Sequence, residues 1–301
     1  MIKHTINTDV LCIGHASYDL IFSVDKHPKS DEKIFAESLI SCGGGPAANA
    51  AVTVSRLGLS AAFSGYLGND LYGNMHQQEF QQDEVITDLI VRGNNATPLS
   101  TILVKPDGKR ALINYKGDTK ALSNNAIDFS WVKTKTILFD GHEPNISLDL
   151  INSGHHAKTP MILDAGSFHQ GTESLMDKVE YLVASEKFAI QYAGDVESAL
   201  TKLAKIAPNV VITMGEHGVL WNRKNTSGAL SAFPTNGIDS TGAGDAFHGA
   251  FAAAVSLNLD WLDILRYASA AGSLCCERIG ARKGLPTREQ HNQLYQSKIK
   301  L

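Results

Sequence analysis

The stretch DSTGAGDAFHGAF, residues 239–251, passes from a loop into a helix through three small residues, Gly242, Ala243 and Gly244. Without a Cβ, glycine lets an anion approach the main chain closely. Free N–H groups at the start of a helix, added to the positive end of its dipole, form an anion site. Asp245 falls in the first helical turn, beside that site. A carboxylate placed there can take the proton of a hydroxyl that attacks a phosphoryl group. An acid in a first turn also serves simply to satisfy a helix N-terminus. Both roles remain open on this stretch alone.

A second cluster, Gly43-Gly44-Gly45-Pro46-Ala47-Ala48-Asn49, leads into an apolar helix reaching residue 57. Its glycines leave room for a ligand against the main chain, and Asn49 can bond hydroxyls with either end of its amide. A tight turn uses glycine equally well. Neither cluster reads GxxxxGK[ST], and GxGxxG does not follow the first strand, so P-loop and dinucleotide-binding folds are excluded.

Around these clusters, short apolar runs alternate with helix-length segments. Residues 9–14, 61–67, 136–140, 161–164, 181–184 and 210–214 read as buried strands, apolar without alternation. Such runs belong to parallel sheets covered on both faces. Helical patterns occupy 47–57, 71–82, 146–156 and 196–206 between them, and 243–257, 262–278 and 287–297 after them. Thr287 with Gln290 forms a capping-box pattern at the last. The order predicts an α/β fold, a doubly wound, mostly parallel sheet flanked by helices, with the 301 residues as one domain. Residues 20–39 and 97–115 instead alternate apolar and polar, and Pro106-Asp107-Gly108 marks a hairpin turn in the second. They predict a small antiparallel β lid, formed by roughly 15–41 and 96–116, whose open edges suit a homodimer.

Net charge is −4, hydrophobic residues make up 43% and charged residues 19%, which supplies a core and excludes a disordered chain. No Lys/Arg run exceeds two residues, so neither a nucleic-acid surface nor a membrane anchor is expected. The start MIKHTINTDVLCIGH lacks a signal-peptide core, and the four cysteines (Cys12, Cys42, Cys275, Cys276) lack CxxC spacing. A reduced, cytoplasmic protein is expected, with Cys275-Cys276 as small core residues rather than a redox pair.

Taken together, the GG-containing segment near residue 40 and DxxGAGD-x-F-x-G near 240 resemble the two signatures of the ribokinase-like (PfkB) carbohydrate kinases. The resemblance covers nearly the whole chain, including the lid and VITMGEHG at 211–218. It implies an enzyme that uses ATP and Mg²⁺ to phosphorylate a small sugar. Asp245 matches the catalytic base and the amides of Gly242, Ala243 and Gly244 the anion hole. Asp19, five residues after Gly14, matches the sugar-binding carboxylate, with Gly44, Gly45 and Asn49 as the sugar-contacting turn. Thr213, Gly215 and Gly218 match the nucleotide side. Asp239, Thr241, Gly280 and Gly284 fall where many members bind a monovalent cation such as K⁺, mostly through main-chain carbonyls. Many members carry Asn-x-x-Glu after the fifth strand, linked to Mg²⁺ and phosphate. The run here is Ser185-Glu186-Lys187-Phe188, which leaves Glu186 as the nearest acid for the Mg²⁺ region.

Within the family the chain looks most similar to sulfofructose kinase and other ketose kinases. Lys33 and Asn114 fall on polar contacts of the sulfonate, but His142 stands where such enzymes carry an arginine. A neutral imidazole cannot copy the bidentate fork of arginine, so a neutral ketohexose is the expected substrate. Glu143 is expected either to bind a sugar hydroxyl or to be a surface acid, and His248, three residues after the base, either to face the pocket or to lie behind it as a satisfied histidine. A ribose or nucleoside kinase shares both signatures; a nucleoside kinase should bury a base on lid aromatics, for which Phe22 and Phe35 are the candidates. A sugar-binding protein without catalysis would have no need of an intact Asp245.

Overall fold

The computed structural model describes residues 4–224 and 226–297. The elements in chain order are β1 (Ile6–Ile13), β2 (Ser17–Ser23), β3 (Ser38–Gly44), α1 (Pro46–Arg56), β4 (Ala61–Gly68), α2 (Leu71–Gln82) and β5 (Ile86–Gly93). Then follow β6 (Leu99–Val104), β7 (Arg110–Tyr115), β8 (Val132–Phe139), α3 (Pro144–Asn152), β9 (Met161–Ala165), α4 (Gln170–Leu175), β10 (Tyr181–Ser185), α5 (Glu186–Ala193) and α6 (Val196–Leu203). The last part comprises β11 (Asn209–Thr213), β12 (Val219–Arg223), β13 (Thr226–Leu230), α7 (Ala243–Ser256), α8 (Trp261–Cys275), α9 (Ala281–Gly284) and α10 (Arg288–Ser297).

Nine strands form one sheet in the order β13-β12-β11-β10-β9-β8-β1-β4-β5. All neighbours from β5 to β11 are parallel, and β12 and β13 close the far edge antiparallel. The sheet is thus the expected doubly wound, mostly parallel one. Strands β5, β12 and β13 escape sequence reading because their residues are only half-buried and lack a clear period. The chain runs from β1 to β4 and β5 on one side, then returns to β8 on the other. In open α/β sheets, ligands bind beyond the carboxyl ends of the strands at such a reversal.

One core lies between the sheet and α1, α7 and α8; the other lies between it and α3, α5 and α6. Every residue of α7 from Ala246 to Ser256 is buried, which is why this helix is built of alanine, glycine and two phenylalanines. Side-chain caps start flanking helices: Asp70 accepts from Gly73 N at 2.8 Å at the start of α2, and Asp195 from Ser198 N at 2.7 Å at the start of α6. The capping box of α10 is present, with Thr287 and Gln290 bonded reciprocally. Among the described residues no helix is long and apolar enough to cross a membrane.

The lid is a four-stranded sheet in the order β3-β2-β6-β7. Its Pro106-Asp107-Gly108 turn links β6 and β7 as expected, but two features correct the sequence reading. Residues 24–37 form a connection rather than strand, and β2 pairs with β6 in parallel. The inner lid face, Ile21, Cys42, Ile102 and Val104, packs with Ile279 of the loop before α9. Cys275 is buried and Cys276 partly so; both are free thiols that desolvation pushes up, which makes them core residues rather than a reactive pair.

Candidate active site

Residues facing each other across paired strands share one face of the sheet. Cys42, Asp19, Ser100 and Asn114 form such a row across the lid. Asp19 therefore looks into the cleft, with Asn114 two strands away on the same side. Its carboxylate accepts from Ser17 Oγ at 3.1 Å and rests on bare backbone: a Cβ on Gly44 would sit 2.2 Å from Oδ2. That close approach is what the glycine at 44 permits. Burial pushes the Asp19 carboxyl up to about 6; the Ser17 and Ser100 hydroxyls oppose the shift, the Asp245 charge adds to it and Arg282 relieves it.

Across the cleft, Gly242 caps α7 in the left-handed conformation, with φ of 80°. A side chain there would place its Cβ 2.5 Å from Ala281 Cβ. The turn brings the amides of Ala243 and Gly244 to the helix N-terminus, with Asp245 just beyond. Asn49 Nδ2 donates to Asp245 Oδ2 at 2.8 Å. Burial raises the Asp245 carboxyl above its ordinary value; the Asn49 hydrogen bond, His248 and Arg110 lower it, and Asp140 raises it. Asn49 is 2% exposed, and its amide oxygen accepts from Arg282 Nε at 3.3 Å. Each end of that amide thus has one protein partner, which leaves one N–H and one oxygen lone pair beyond the two bonds. His248 lies beneath Asp245, its ring nitrogens facing Gly244 O, Val183 O and the Asp164 carboxylate at 2.6, 3.2 and 3.3 Å.

At the reversal of the sheet, the buried Asp140 accepts from the main-chain N–H groups of His15, His142 and Ala47 at 2.7, 2.9 and 3.1 Å. It ties the end of β1, the end of β8 and the start of α1 into one corner. A small polar recess of about 40 Å³ opens beside it, lined by His15, Lys116, Lys120, His142 and Glu143 among others. It adjoins the Gly44–Gly45 turn, since a Cβ on Gly45 would meet His15 O at 2.4 Å. His142 stands between His15 and His169, with ring centroids 5.2 and 4.8 Å away. Glu143 is buried rather than a surface acid: it accepts from Leu122 N at 2.6 Å, and burial pushes its carboxyl up to about 7. Lys33 is not brought to this corner. It lies exposed between β2 and β3 with its ammonium 5.6 Å from the centre of the Phe35 ring.

Thr213 ends β11, Gly215 opens a short 3₁₀ turn and Gly218 closes it with positive φ. Ser185, at the end of β10, caps α5 by accepting from Phe188 N at 3.0 Å. Phe188 itself is a core residue, 0% exposed, so the position is closed to an acid by packing. Glu186 is exposed at the start of α5. Mg²⁺ bound to a nucleotide keeps several waters and takes few protein ligands, and one exposed carboxylate fits that demand.

Asp239 cross-links two loops. Oδ1 accepts from Thr241 N at 2.9 Å and from its hydroxyl, and Oδ2 accepts from Gly280 N at 2.8 Å. The guanidinium of Arg110, on lid strand β7, stands 4.0 Å from Oδ1 and donates to Thr241 Oγ1. A carboxylate so engaged, with a cation already beside it, does not fit as a side-chain ligand for K⁺. Main-chain oxygens of the 239–241 and 280–284 segments are the donors that fit, and the Cys275 thiol faces two of them, Thr241 O and Ala281 O, at 3.6 and 3.9 Å. Sequence reasoning missed Arg110, Asp140, Asp164 and Arg282. The two acids carried a signal, since both stand at carboxyl ends of parallel strands; the two arginines carried none.

The profile described as pfkB family carbohydrate kinase matches residues 7–288. The ribokinase of Bacillus subtilis (strain 168) is 28% identical over 291 residues, covering 95% of this chain and 99% of its own. The protein named Probable fructokinase-5 of Arabidopsis thaliana is 25% identical over 311 residues, covering 92% and 96%. The structure of Arabidopsis thaliana ribokinase complexed with ribose and ATP shares the fold with a TM-score of 0.82 at 24% identity, covering 97% of this chain and 99% of that one. A glycine turn at the start of α7, a carboxylate beside it and a second carboxylate on a β lid accord with these likenesses, and the chain belongs to the pfkB family of carbohydrate kinases.

Proposed function

We propose that the protein transfers the γ-phosphoryl group of ATP to a primary hydroxyl of a small sugar, a ketohexose such as fructose. The observation that carries this reading is the meeting of Asp19 and Asp245 across one cleft, each over a glycine turn. Asp19, with Gly44 and Gly45, holds the sugar hydroxyls. Asp245 takes the proton of the attacking hydroxyl while the amides of Gly242, Ala243 and Gly244 hold the transferring group. The β10–β11 ends, with Ser185, Thr213, Gly215 and Gly218, receive the nucleotide. Mg²⁺ bound to ATP supplies charge neutralisation between the phosphates, with Glu186 to orient its waters. A monovalent cation belongs to this reading only through main-chain oxygens of the two loops that Asp239 joins. The small polar recess beyond Gly45 offers His15, His142 and Glu143 to a hydroxyl at the far end of the acceptor. Nothing in the lid favours a nucleoside: Phe35 is 83% exposed, and Phe22 alternates to the face opposite Asp19.

The test is ADP release with fructose, tagatose, ribose, sulfofructose, adenosine and inosine as acceptors. Turnover highest on fructose or tagatose is expected; a preference for ribose or a nucleoside overturns the ketohexose, and no turnover on any of them overturns the kinase reading.

Sugar binding should weaken in mild acid. Asp19 accepts most strongly, and with both oxygens, when ionised, and its carboxyl stands at about 6, so the charged form is lost as pH falls through that value. The sugar KM is expected to rise about tenfold per unit below pH 6 while the KM for ATP stays level, as steady-state kinetics from pH 5 to 8 would show.

A homodimer through the lid also belongs to this proposal. Leu39, Ile113 and Tyr115 are 57%, 70% and 56% exposed on its outer face. Light scattering at micromolar concentration should give twice the chain mass of 32.4 kDa; a monomer mass would contradict it.

A further inference from the structure

Arg282, the second residue of α9, is 4% exposed and has no part in the reading above. Burying a guanidinium is costly, and a well-packed apolar side chain is often as stable in such a place. Its surroundings hold it from several sides. Nη2 lies 3.1 Å from His76 Nε2, and Nη1 lies 3.9 Å from both the Glu79 and Asp83 carboxylates. Those acids are mainly occupied elsewhere: Glu79 accepts from Gly43 N at 2.8 Å, and Asp83 takes the fork of Arg56 at 2.7 and 3.1 Å. The remaining nitrogen, Nε, points at Asn49 Oδ1.

A guanidinium only donates, whereas a carboxamide donates at one end and accepts at the other. Asn49 sits between Arg282 and Asp245, and its two orientations are far from equal. With Oδ1 toward Arg282, Nδ2 faces the Asp245 carboxylate at 2.8 Å and both contacts are donor to acceptor. Turned over, the amide would set N–H against N–H on one side and oxygen against carboxylate on the other. A deeply buried site lends such mismatches their full cost. We propose that Arg282 is a positioning residue, which fixes the orientation of the Asn49 amide and through it the carboxylate of Asp245. Asp245 Oδ2 is thereby held by a donor, and Oδ1 is left for the sugar hydroxyl. This rests on Asp245 being the base of the proposed reaction.

The experiment compares Arg282→Met, Asn49→Ala and the double variant, each confirmed as folded by circular dichroism and thermal melting. Arg282→Met is expected to lower kcat about tenfold with the sugar KM changed less than about threefold, because the amide can then turn. In the Asn49→Ala background the same change should add no further loss of kcat. The Asp245 carboxyl, followed by ¹³C NMR with aspartate labelling and assigned with Asp245→Asn, should titrate at higher pH in Arg282→Met than in the wild type. The other groups around it stay constant across the set: Asp19 of β2, Arg110 of β7, Asp140 after β8, Asp164 of β9, His248 of α7 and Cys275 of α8. Arg282→Gln offers Asn49 either a donor or an acceptor, and it should give the same shift if the methionine variant does not fold. Additive losses in the double variant, or an unmoved Asp245 titration in a folded Arg282 variant, overturn the proposal. A wild type that phosphorylates no sugar removes the proposed function, and the titration still decides the role of Arg282.

Discussion

Asp245→Asn is expected to lower kcat by about 10²–10⁴-fold, the range that a positioned proton acceptor contributes. The substitution is nearly isosteric, and the amide oxygen can still accept from Asn49 Nδ2. What it removes is the ability to take a proton. The sugar should still bind, because Asp19 and Gly44 are untouched, so its KM should shift only slightly. ATP should bind to the variant as to the wild type by calorimetry. Residual turnover would reflect the anion turn and the alignment of the two reactants. A variant whose kcat stays within about threefold of the wild type would show that the hydroxyl loses its proton elsewhere. The pH dependence has a definite sign. On the proposed mechanism Asp245 would work as the carboxylate; its burial and the neighbouring Asp140 charge raise its titration, so kcat/KM should fall on the acid side.

The second large effect is expected at Gly242. A left-handed backbone costs a residue other than glycine roughly 1–2 kcal/mol. At this position the Cβ of an alanine would also lie 2.5 Å from Ala281 Cβ and 2.8 Å from Ala281 Cα. The nearer obstacle is one methyl and the next is backbone, so neither can swing aside. The first turn of α7 must lift off the start of α9, and the amides of Ala243 and Gly244 move with it. Gly242→Ala should lower kcat about 10²–10³-fold, the loss seen when one donor of an oxyanion site is removed, and should also lower Tm. Gly244→Ala is the control for stability: its Cβ would meet nothing within 4 Å, so its Tm should match the wild type. Equal melting and equal kcat for Gly242→Ala would mean that the turn has no such role.

The large features of the molecule were legible in the sequence because they depend on local chemistry. Gly242, Asp245 and the buried runs of β1, β8, β9 and β11 announce themselves by residue type and period. The lid was legible only in part: β6 and β7 alternate about a strong turn, whereas the residues between β2 and β3 alternate without pairing. Asn49 shows where local reading stops. A carboxamide beside a glycine turn suits a hydroxyl, yet its partners, Asp245 and Arg282, come from positions 196 and 233 residues away. Arg282 stands in a short Gly-Ala-Arg-Lys-Gly run that looks like an exposed loop. The packing of α9 against α1, α8 and β3, with His76 and Phe80 of α2 over the guanidinium, buries it. Arg110 is similar, since it opens an exposed strand, β7, and its partner Thr241 lies 131 residues away.

The lid is made of two insertions, one between β1 and α1 and the other between β5 and β8, and neither contains the anion turn or Asp245. The residues that would choose the acceptor are thus carried on pieces of chain separate from those that would activate it. Exchanging residues along the row of Asp19, Ser100 and Asn114 leaves the geometry of Gly242–Asp245 as it stands. Such an arrangement lets selection, or an engineer, retune the preferred sugar in small steps while the chemical step is inherited intact.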